Sequence, residues 1–475
     1  MAVEWTSSLD LIIDLNPSQG IRQGIETAVR DAIRDGRLRL GTTLPSTRAL
    51  ARDLGVARGT VNEAYSQLAA EGYLLARQGA ACRVVWVPPP AEESTVPATE
   101  ETRHWDLRPG RAYSASFPRQ VWAKAVRRVL RDIPDEALGY GDSQGTFALR
   151  DALTTYLGRA RGVRTDPGRL LVCSGFTQAL TVVCGALRAM GATTLATENP
   201  NAPRFREIVR QMGLDVVPVP CDEDGLRVDH LAHRSADAVL VTPAHQYPLG
   251  GTLSAARRAA LVEWARDNDA LIIEDDYDGE FRFDRHPVAA LQQMDPDHVV
   301  YAGTASKTLA PGIRLGWVTL PPAIREAVIA EKDRLDRGNS VLDQFALAEL
   351  IGSGEFDRHV RRMRVVYRQR RDQVLDVLAE RVPELQVRGI AAGLHLVAVL
   401  PGMTSEEQVL AEAERNSLLL HSLTEYWHEP DGDRPQAVIV GYGTPAGHAF
   451  RPALQALASA VSAAMVTPRR IRPAP

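Results

Sequence analysis

The sequence has few cysteines, and their spacing excludes the common cysteine-based sites. The four, Cys82, Cys173, Cys184 and Cys221, are scattered through 475 residues and include no CxxC pair and no histidine partner at metal-ligand spacing. Structural zinc sites and disulfide frameworks depend on closer spacings than these. We therefore expect neither a metal site nor disulfide bonds.

Long hydrophobic runs are missing as well. No stretch reaches the roughly 18 consecutive apolar residues of a transmembrane helix. The N-terminal MAVEWTSSLD has acidic residues and lacks the basic start of a secretory signal. The sequence thus predicts a soluble, cytoplasmic protein without a membrane partner.

Neither sign of charge predominates, since 55 Lys and Arg residues oppose 59 Asp and Glu residues for a formal net charge of −4. This balance excludes a uniformly basic nucleic-acid binder, although a small basic segment can lie within an acidic total. The length exceeds what one compact core usually holds, so we expect two or three domains.

One segment differs in composition from the rest. VPPPAEESTVPATEETR, from Val87 to Arg103, is rich in Pro, Glu, Thr and Ser and has no periodic apolar residues, which is typical of a linker. We predict a head domain at 1–86, a linker at 87–104 and a large domain at 105–475.

The segment before the linker has the pattern of a small helical domain. Three helical stretches precede Gly72, with a turn at Gly55, and a hairpin follows with its turn at 77–79. In the third helix the predicted buried residues are Val61, Ala64, Tyr65 and Leu68. The predicted outward residues are Arg58, Gly59, Asn62 and Gln67.

The local charge of the head indicates what it binds. Between Arg37 and Arg83, seven arginines oppose three acidic residues, a net charge of +4 within an acidic chain. A basic helix-turn-helix followed by a hairpin wing predicts binding to duplex DNA. The alternative is a solvated module that contacts other proteins.

Apolar runs alternate with longer helical stretches after the linker. RLLVCSG, ADAVLVTP, ALIIEDD and HVVYAG predict strands, and SAARRAALVEWARDN predicts a helix. This alternation predicts an α/β domain with a mostly parallel sheet covered on both faces, whose ligands bind beyond the carboxyl ends of the strands. From about Val318 onward we expect a smaller α+β portion.

The strongest chemical signal is YAGTASKTLAPGIRLGW, from Tyr301 to Trp317. A lysine placed after a strand can form a Schiff base with an aldehyde, while a neighbouring hydroxyl and an arginine seven residues later hold a phosphate. We predict Lys307 as the Schiff-base residue and Ser306 with Arg314 as phosphate ligands.

A second stretch, ALIIEDDYDGEF, suits the same ligand. Strand alternation puts Asp275 and Tyr277 on one face and Asp276 on the other. Asp275 can then bond a pyridine nitrogen, and Tyr277 a phenolate oxygen. The alternative is a magnesium ion held by Glu274, Asp275 and Asp276.

A third stretch, LLVCSGFTQAL, has a strand, a glycine turn and a helix start. The backbone amides of Gly175, Phe176 and Thr177, with the Thr177 hydroxyl, can bind a phosphate at that helix N-terminus. The alternative is a tight connection without a ligand.

The head resembles the GntR family of bacterial regulators, in its pattern of LPS, Arg, LA, LGV, Arg, TV, AY, L, EGY and a glycine in the wing. The resemblance implies DNA contacts from Arg48, Arg58, Thr60, Asn62 and Gly79. Ala57 departs from the family pattern, which usually has Ser or Thr at this helix start. We therefore expect a helix cap or a phosphate contact to be missing there.

The large domain resembles fold-type I aminotransferases over about residues 105 to 470. The stretches with Gly175, Asp275 and Lys307 occur in that family's order, together with TPAHQYPLGG, where His245 falls in the loop that the family places near the ring oxygen. The resemblance implies pyridoxal 5'-phosphate as cofactor. Joined to a GntR-type head, the chain resembles the MocR or GabR-like regulators.

Two departures from the aminotransferases bear on the ligand. Ala202 stands where a tyrosine is common, although Arg204 remains available to meet an effector carboxylate. Ile439 in AVIVGYG stands where catalytic members place an arginine that grips the α-carboxylate. Loss of that bidentate clamp weakens the orientation of an amino acid and hence transamination.

These features lead to a transcriptional regulator that depends on pyridoxal phosphate, with the cofactor itself, or an amine that condenses with it, as effector. The alternatives are an active aminotransferase with an incidental head, and a cofactor-binding scaffold that contacts protein instead of DNA. The resemblance also implies a head-to-tail homodimer, in which Tyr140 of LGYGDSQG reaches the partner's phosphate site.

Overall fold

The computed structural model describes residues 2–3, 13–14, 20–75, 82–86, 105–231, 236–283, 288–428 and 434–466. The chain divides into two compact units, Met1–Glu101 and Thr102–Pro475. That division falls within the predicted linker, whose residues 87–104 lie outside the described ranges. The wing residue Gly79 lies outside them as well.

The described residues of the first unit form three helices and two short antiparallel strand pairs, β1 with β2 and β3 with β4. Its elements are β1 (Ala2–Val3), β2 (Ile13–Asp14), α1 (Ile21–Arg34), α2 (Thr47–Leu54), α3 (Arg58–Ala70), β3 (Leu74–Leu75) and β4 (Arg83–Val84). Ser46 caps α2 by accepting the Ala49 amide at 3.2 Å, and Gly55 ends the helix with a φ of 66°. The three predicted helices, the turn and the paired strands are confirmed.

One apolar cluster forms the core of the head. It combines Ile25, Val29, Ala32 and Ile33 of α1 with the buried stripe of α3. The buried residues of α3 are Val61, Ala64, Tyr65 and Leu68. These are the residues predicted from helical periodicity, and the opposite face of α3 stays free.

The second unit is an α/β domain with a smaller α+β portion. Its strands are β5 (Trp105–Asp106), β6 (Leu170–Cys173), β7 (Thr194–Asn199), β8 (Asp215–Asp222), β9 (Gly225–Leu226), β10 (Ala238–Val241), β11 (Leu271–Asp276), β12 (Val299–Thr304), β13 (Gly316–Thr319), β14 (Gln386–Arg388), β15 (His395–Val399), β16 (Leu418–Leu419), β17 (His421–Ser422) and β18 (Ala437–Gly441). Its helices are α4 (Arg119–Asp132), α5 (Phe147–Arg161), α6 (Phe176–Ala189), α7 (Pro203–Gln211), α8 (Ala255–Asp267), α9 (Pro322–Asp336), α10 (Val341–Gly352), α11 (Glu355–Arg381), α12 (Glu406–Arg415) and α13 (Gly447–Val466).

An eight-stranded sheet lies at the centre of this unit, in the order β6-β13-β12-β11-β10-β7-β8-β9. The five strands from β12 to β8 in that order are parallel, while β13 and β9 run antiparallel to their neighbours. In β6, Leu171 and Cys173 join one apolar cluster, whereas Leu170 and Val172 join another. Both faces are therefore covered. Together with the five parallel strands, this confirms the predicted mostly parallel sheet.

The smaller portion contains an antiparallel sheet in the order β14-β15-β18-β17, with α11, α12 and α13 sharing its apolar cluster. Among the described residues, α13 is long and apolar enough to cross a membrane, and half of its apolar stretch is buried inside the protein. Its Phe450, Leu454, Leu457 and Val461 belong to that cluster. The apolar character of α13 thus has an explanation within the fold.

Candidate functional site

A cavity of about 470 Å³ lies beyond the carboxyl ends of the parallel strands in the large domain. Asp275 is the next-to-last residue of β11, while Lys307 follows β12 and Gly175 follows β6, so the topology brings together segments that are distant in sequence. The predicted residues that line the cavity are Gly175, Phe176, Thr177, Arg204, Asp275, Tyr277, Ser306, Lys307 and Arg314. His245 is the predicted cofactor residue that does not line it.

Lys307 presents its amine to this cavity. The amine donates to the Gly110 carbonyl. Burial lowers the pKa of Lys307, against the opposing influence of the Asp275 and Asp278 charges. A lowered pKa favours the neutral amine, which is the form that attacks a carbonyl carbon.

Two adjacent carboxylates at the end of β11 have opposite surroundings. Asp276 pairs with the Arg161 guanidinium through contacts of 2.6 and 3.0 Å and accepts the Tyr301 hydroxyl at 2.8 Å. Asp275 lines the cavity, is only 5 % exposed, and its carboxylate has no hydrogen-bond donor among the described residues. Burial raises the pKa of Asp275 well above its usual value, although the Lys307 charge opposes the shift. A cationic N–H group in the cavity would satisfy this carboxylate.

The hydrogen bonds of the three acids of β11 argue against the alternative of a magnesium ion. Glu274 accepts the backbone amides of Leu291 and Gln292 at 2.8 and 3.0 Å. Asp276 is committed to Arg161, and Asp275 lies on the other face of the strand. The three carboxylates therefore do not converge on one point.

An anion site is formed where α6 begins. Gly175 precedes the helix with a φ of 100°, and a Cβ there would lie 3.5 Å from Nη1 of Arg314. No side chain caps α6, so the first amides of the helix, at Phe176 and Thr177, stay available. Arg314 has no ion pair within 4 Å in the part of the chain that the structure describes. A guanidinium beside an uncapped helix N-terminus suits a phosphate.

Ser306 supports the same end of the cavity. Its backbone amide donates to Thr304 Oγ1 at 3.1 Å, and the two hydroxyl oxygens lie 3.0 Å apart. Thr304 also lines the cavity. The turn after β12 thus orients a pair of hydroxyls as well as Lys307.

His245 lies behind Tyr277, buried and in contact with Asp278. Its Nδ1 is 2.8 Å from Asp278 Oδ2 and 2.9 Å from the Tyr277 hydroxyl. Since one ring nitrogen makes one hydrogen bond, we assign Nδ1–H to the carboxylate, which leaves the Tyr277 hydroxyl to donate to the His245 carbonyl at 3.1 Å. His245 is thus a support for Tyr277 and not a wall of the cavity.

His245, Asp278 and His395 offer ligand atoms within 4.8 Å of one another, close enough to surround one metal ion. Each imidazole already has a partner, because His395 Nε2 bonds the Pro248 carbonyl at 3.0 Å and His245 bonds Asp278. Burial lowers the pKa of His395 to about 3. Hydrogen bonding explains this cluster without an ion.

Three further residues of the cavity were not predicted from the sequence. The Tyr426 hydroxyl lies 3.0 Å from Nδ1 of His421 and 3.2 Å from the Tyr247 hydroxyl, and all three side chains line the cavity. Tyr247 lies two residues after His245 in TPAHQYPLGG, which was a usable signal. His421 begins β17 and Tyr426 lies five residues later, in a segment with no recognisable motif.

The position of the missing carboxylate clamp is apolar. Ile439 is fully buried in a cluster with Val397, Leu423 and Tyr426, against which Tyr247 packs. The arginines of the cavity wall are Arg204 and Arg314, both exposed. Neither one replaces a clamp at position 439.

Four of the predicted DNA residues of the head lie within the described part of the chain, and three of them are exposed. Arg48, Arg58 and Asn62 are exposed, and Thr60 is half-buried. Arg58 Nε lies 3.4 Å from Thr47 Oγ1, which connects the first turns of α2 and α3. Ala57 provides no side-chain cap for α3, as its departure from the usual Ser or Thr predicts.

Comparison with known proteins agrees with both halves of the chain. Residues 112–425 match the aminotransferase class I and II family, and residues 21–84 match the gntR family of bacterial regulatory proteins. The pyridoxine biosynthesis transcriptional regulator PdxR of Corynebacterium glutamicum is 33% identical over 95% of this chain and 99% of its own. The probable rhizopine catabolism regulatory protein MocR of Rhizobium meliloti is 30% identical over 90% of each chain.

Among solved structures, the kynurenine aminotransferase of Pyrococcus horikoshii superposes with a TM-score of 0.70 at 23% identity, covering 78% of this chain and 93% of that one. This likeness shows the fold. Aminotransferase class I architecture and regulators of this type imply dependence on pyridoxal phosphate. The chain therefore belongs to the MocR/GabR-like subfamily of GntR transcriptional regulators, in which a helix-turn-helix head precedes an aminotransferase-like domain.

Proposed function

We propose that this regulator senses pyridoxal phosphate itself and that its affinity for operator DNA depends on whether the large domain holds the cofactor. The observation that carries this proposal is the apolar cluster around Ile439, which gives an amino acid's α-carboxylate no guanidinium partner at that position. The similarity to a regulator named for pyridoxine biosynthesis supports the same effector. Acting on DNA, the protein would work in the bacterial cytoplasm.

The residues of the cavity fit the parts of the cofactor. Bound pyridoxal phosphate supplies an aldehyde and an electron-withdrawing ring. Lys307 would hold the aldehyde carbon, and Asp275 would accept from the ring nitrogen, which provides the donor that its buried carboxylate lacks. In the cofactor-bound protein the Tyr277 hydroxyl would donate to the ring oxygen in place of the His245 carbonyl, to which it donates at 3.1 Å in this structure.

The phosphate would occupy the anion site at the start of α6. The amides of Gly175, Phe176 and Thr177 would donate to it, and the Ser306 hydroxyl and the Arg314 guanidinium would complete its shell. The cofactor would thereby connect β6, β11 and β12 through one ligand. Such bridging gives a physical route by which occupancy favours one arrangement of the domain over another.

DNA would be bound by the head through Arg48, Arg58, Thr60, Asn62 and Gly79. Arg48 and Arg58 suit phosphate oxygens or base edges, and Asn62 on the exposed face of α3 suits a base edge. We propose a head-to-tail homodimer as the active form. Tyr140 supports it, because the residue is 88% exposed and its ring lies 4.9 Å from the Arg337 guanidinium.

An amine effector is the second candidate, and Arg204 favours it. Arg204 lines the cavity without an ion pair among the described residues and could bind the far carboxylate of a 4-aminobutyrate-like amine or the sulfonate of a taurine-like amine. Such a ligand would not need the clamp absent at Ile439. Active transamination remains the enzymatic alternative, since Lys307, Asp275 and Tyr277 are all present.

The deciding experiment is binding of the full-length protein to the DNA upstream of its own gene, at fixed salt, with the cofactor removed and then restored. A change in dissociation constant on adding pyridoxal phosphate alone supports cofactor sensing. Equal binding with and without cofactor, followed by a response to an added amine, supports the amine effector. Absence of DNA binding, together with turnover of an amino acid and a keto acid, would overturn the proposed regulatory function in favour of transamination.

A further inference from the structure

A basic stripe runs along one exposed face of α4 in the large domain. Lys124, Arg127 and Arg131 recur at intervals of three and four residues, which places them on one side of a helix. All three are exposed, while Ala125 and Val129 bury the opposite side. The stripe continues into a groove of about 820 Å³ between α4 and the end of α10.

The stripe keeps free positive charge. Arg131 is neutralised by Asp132 at 2.7 Å, and the adjacent Arg128 by Glu349 at 2.7 Å. Lys124 and Arg127 form no ion pair within 4 Å among the residues described. The acids that face the stripe from neighbouring helices are Glu349 and Glu355, and Glu355 pairs with Arg358 at 2.8 Å. Two cations therefore remain uncompensated.

We propose that the α4 stripe binds the sugar–phosphate backbone of the same duplex that the head recognises. At about 1.5 Å of rise per residue, Lys124 to Arg131 spans about 10 Å of helix. One DNA strand places a phosphate at about every 3.4 Å of axial rise, so this length corresponds to about three phosphates. The proposal rests on the proposed function, because it adds a contact to DNA binding by the head.

The surface chemistry favours DNA over a second copy of the chain. The centres of protein–protein interfaces are apolar and aromatic and are depleted in charged residues. The exposed large apolar residue of α4, Leu130, lies roughly 100° around the helix from the stripe. An exposed row of long cations on a protein of net charge −4 is better explained by a polyanionic partner.

The contact has a defined energetic signature. A side chain that neutralises a phosphate adds about 0.9 to the slope of log affinity against log salt, whatever the base sequence. Removal of Lys124 and Arg127 should therefore lower the slope by about 2 for each subunit whose stripe contacts the duplex. If the two binding curves meet at 1 M salt, that difference corresponds to roughly 100-fold weaker binding at 0.1 M.

The test uses the full-length protein with Lys124→Gln and Arg127→Gln together. Dissociation constants are measured between 50 and 200 mM salt on operator DNA and on an unrelated duplex, and the thermal midpoint checks folding. The matched control is Arg381→Gln at the exposed end of α11, where the cation lies 3.8 Å from Glu380. We expect equal losses on both duplexes and a shallower slope for the double variant, with the control unchanged.

Three results would overturn the inference. Unchanged affinity and slope in a double variant that folds would remove α4 from the DNA interface while leaving the head's function intact. An altered oligomeric mass with an unchanged slope would assign the stripe to contacts between copies of the chain. Absence of DNA binding by the unaltered protein would reject the proposed function and the stripe's role together.

Discussion

The two units of this protein place their functional residues in opposite environments. In the head, the predicted DNA residues Arg48, Arg58 and Asn62 are exposed, and one apolar cluster forms the core without them. In the large domain, Asp275, Tyr277 and Lys307 are enclosed at the strand ends, where burial shifts each pKa. In the head, the helical pattern of exposed residues is enough to place the functional side chains, whereas in the large domain their placement depends on the topology of the whole sheet.

This difference predicts how substitutions act. An exposed residue of α3 can change DNA affinity without changing stability, because it contributes little to the core. Substitution of a buried polar residue in the large domain can change both function and stability, because specific partners offset the cost of removing that residue from water. We therefore expect substitutions in the head to change function without changing stability, and substitutions in the large domain to change both.

The largest effect is expected for Lys307→Ala. The amine that would bond the aldehyde carbon is lost, so the visible absorbance of a lysine-linked pyridoxal group should disappear entirely. Absorbance spectra and a thermal midpoint of the variant measure the two consequences separately. Arg381→Gln serves as the control, with an unaltered spectrum. A Lys307→Ala protein that keeps the full band would remove this residue from the cofactor assignment.

Periodicity was sufficient for the elements whose residues meet one simple environment. The stripe of α3 and the runs that became β6, β10, β11 and β12 follow from burial alone, because core faces recur with the period of the helix or the strand. The opposite directions of Asp275 and Asp276 follow from the same rule. Local chemistry also indicated Lys307.

Side-chain contacts between residues far apart in the sequence could not be predicted from periodicity. Arg161 ends α5, yet its guanidinium pairs with Asp276 at the end of β11. Tyr426 and His421 reach the cavity from the α+β portion. His245 illustrates the same limit, since its segment could be identified but its place behind Tyr277 depends on how three loops pack. No periodic signal specifies contacts of this kind.

Asp275 and Asp276 allow a direct comparison of two neighbouring carboxylates within the large domain. Asp276→Asn leaves the buried Arg161 guanidinium without a counter-charge and should cost about 3–5 kcal/mol of unfolding free energy. Asp275→Asn removes a buried carboxyl group that has no protein donor and whose pKa is raised by burial, so the cofactor-free protein should keep or gain stability while its affinity for pyridoxal phosphate falls. Urea unfolding and cofactor titration measure the two quantities. Equal destabilisation by both variants would contradict the division of roles.

Glu198 provides a pH-dependent test of burial in the large domain. Burial raises the pKa of Glu198 from 4.5 to about 7, although Thr242 Oγ1 donates to it at 2.6 Å. The folded state therefore holds this proton more tightly than the unfolded chain, and stability falls as pH rises from about 4.5 to about 7. Glu198→Gln should remove that loss and stabilise the domain by about 3 kcal/mol at pH 8.

Thermal midpoints at pH 5 and pH 8 check this expectation for the unaltered protein and the variant. The control is Glu223→Gln, an exposed glutamate that follows β8. Its midpoints should track those of the unaltered protein at both pH values. A Glu198→Gln protein with the unaltered pH dependence would show that the buried carboxyl does not titrate in this range.

Asn62→Ala should give the smallest effect and the cleanest separation of function from stability. Loss of an amide at a base edge costs about 1–3 kcal/mol of binding free energy on operator DNA and little on an unrelated duplex. Because Asn62 is exposed on α3, the thermal midpoint and the cofactor absorbance should stay unchanged. Gln23→Ala, which removes an exposed amide from α1, is the matched control and should bind both duplexes normally. Equal weakening of Asn62→Ala on both duplexes would mean that this residue contacts the backbone, and base reading would then have to come from elsewhere on the head.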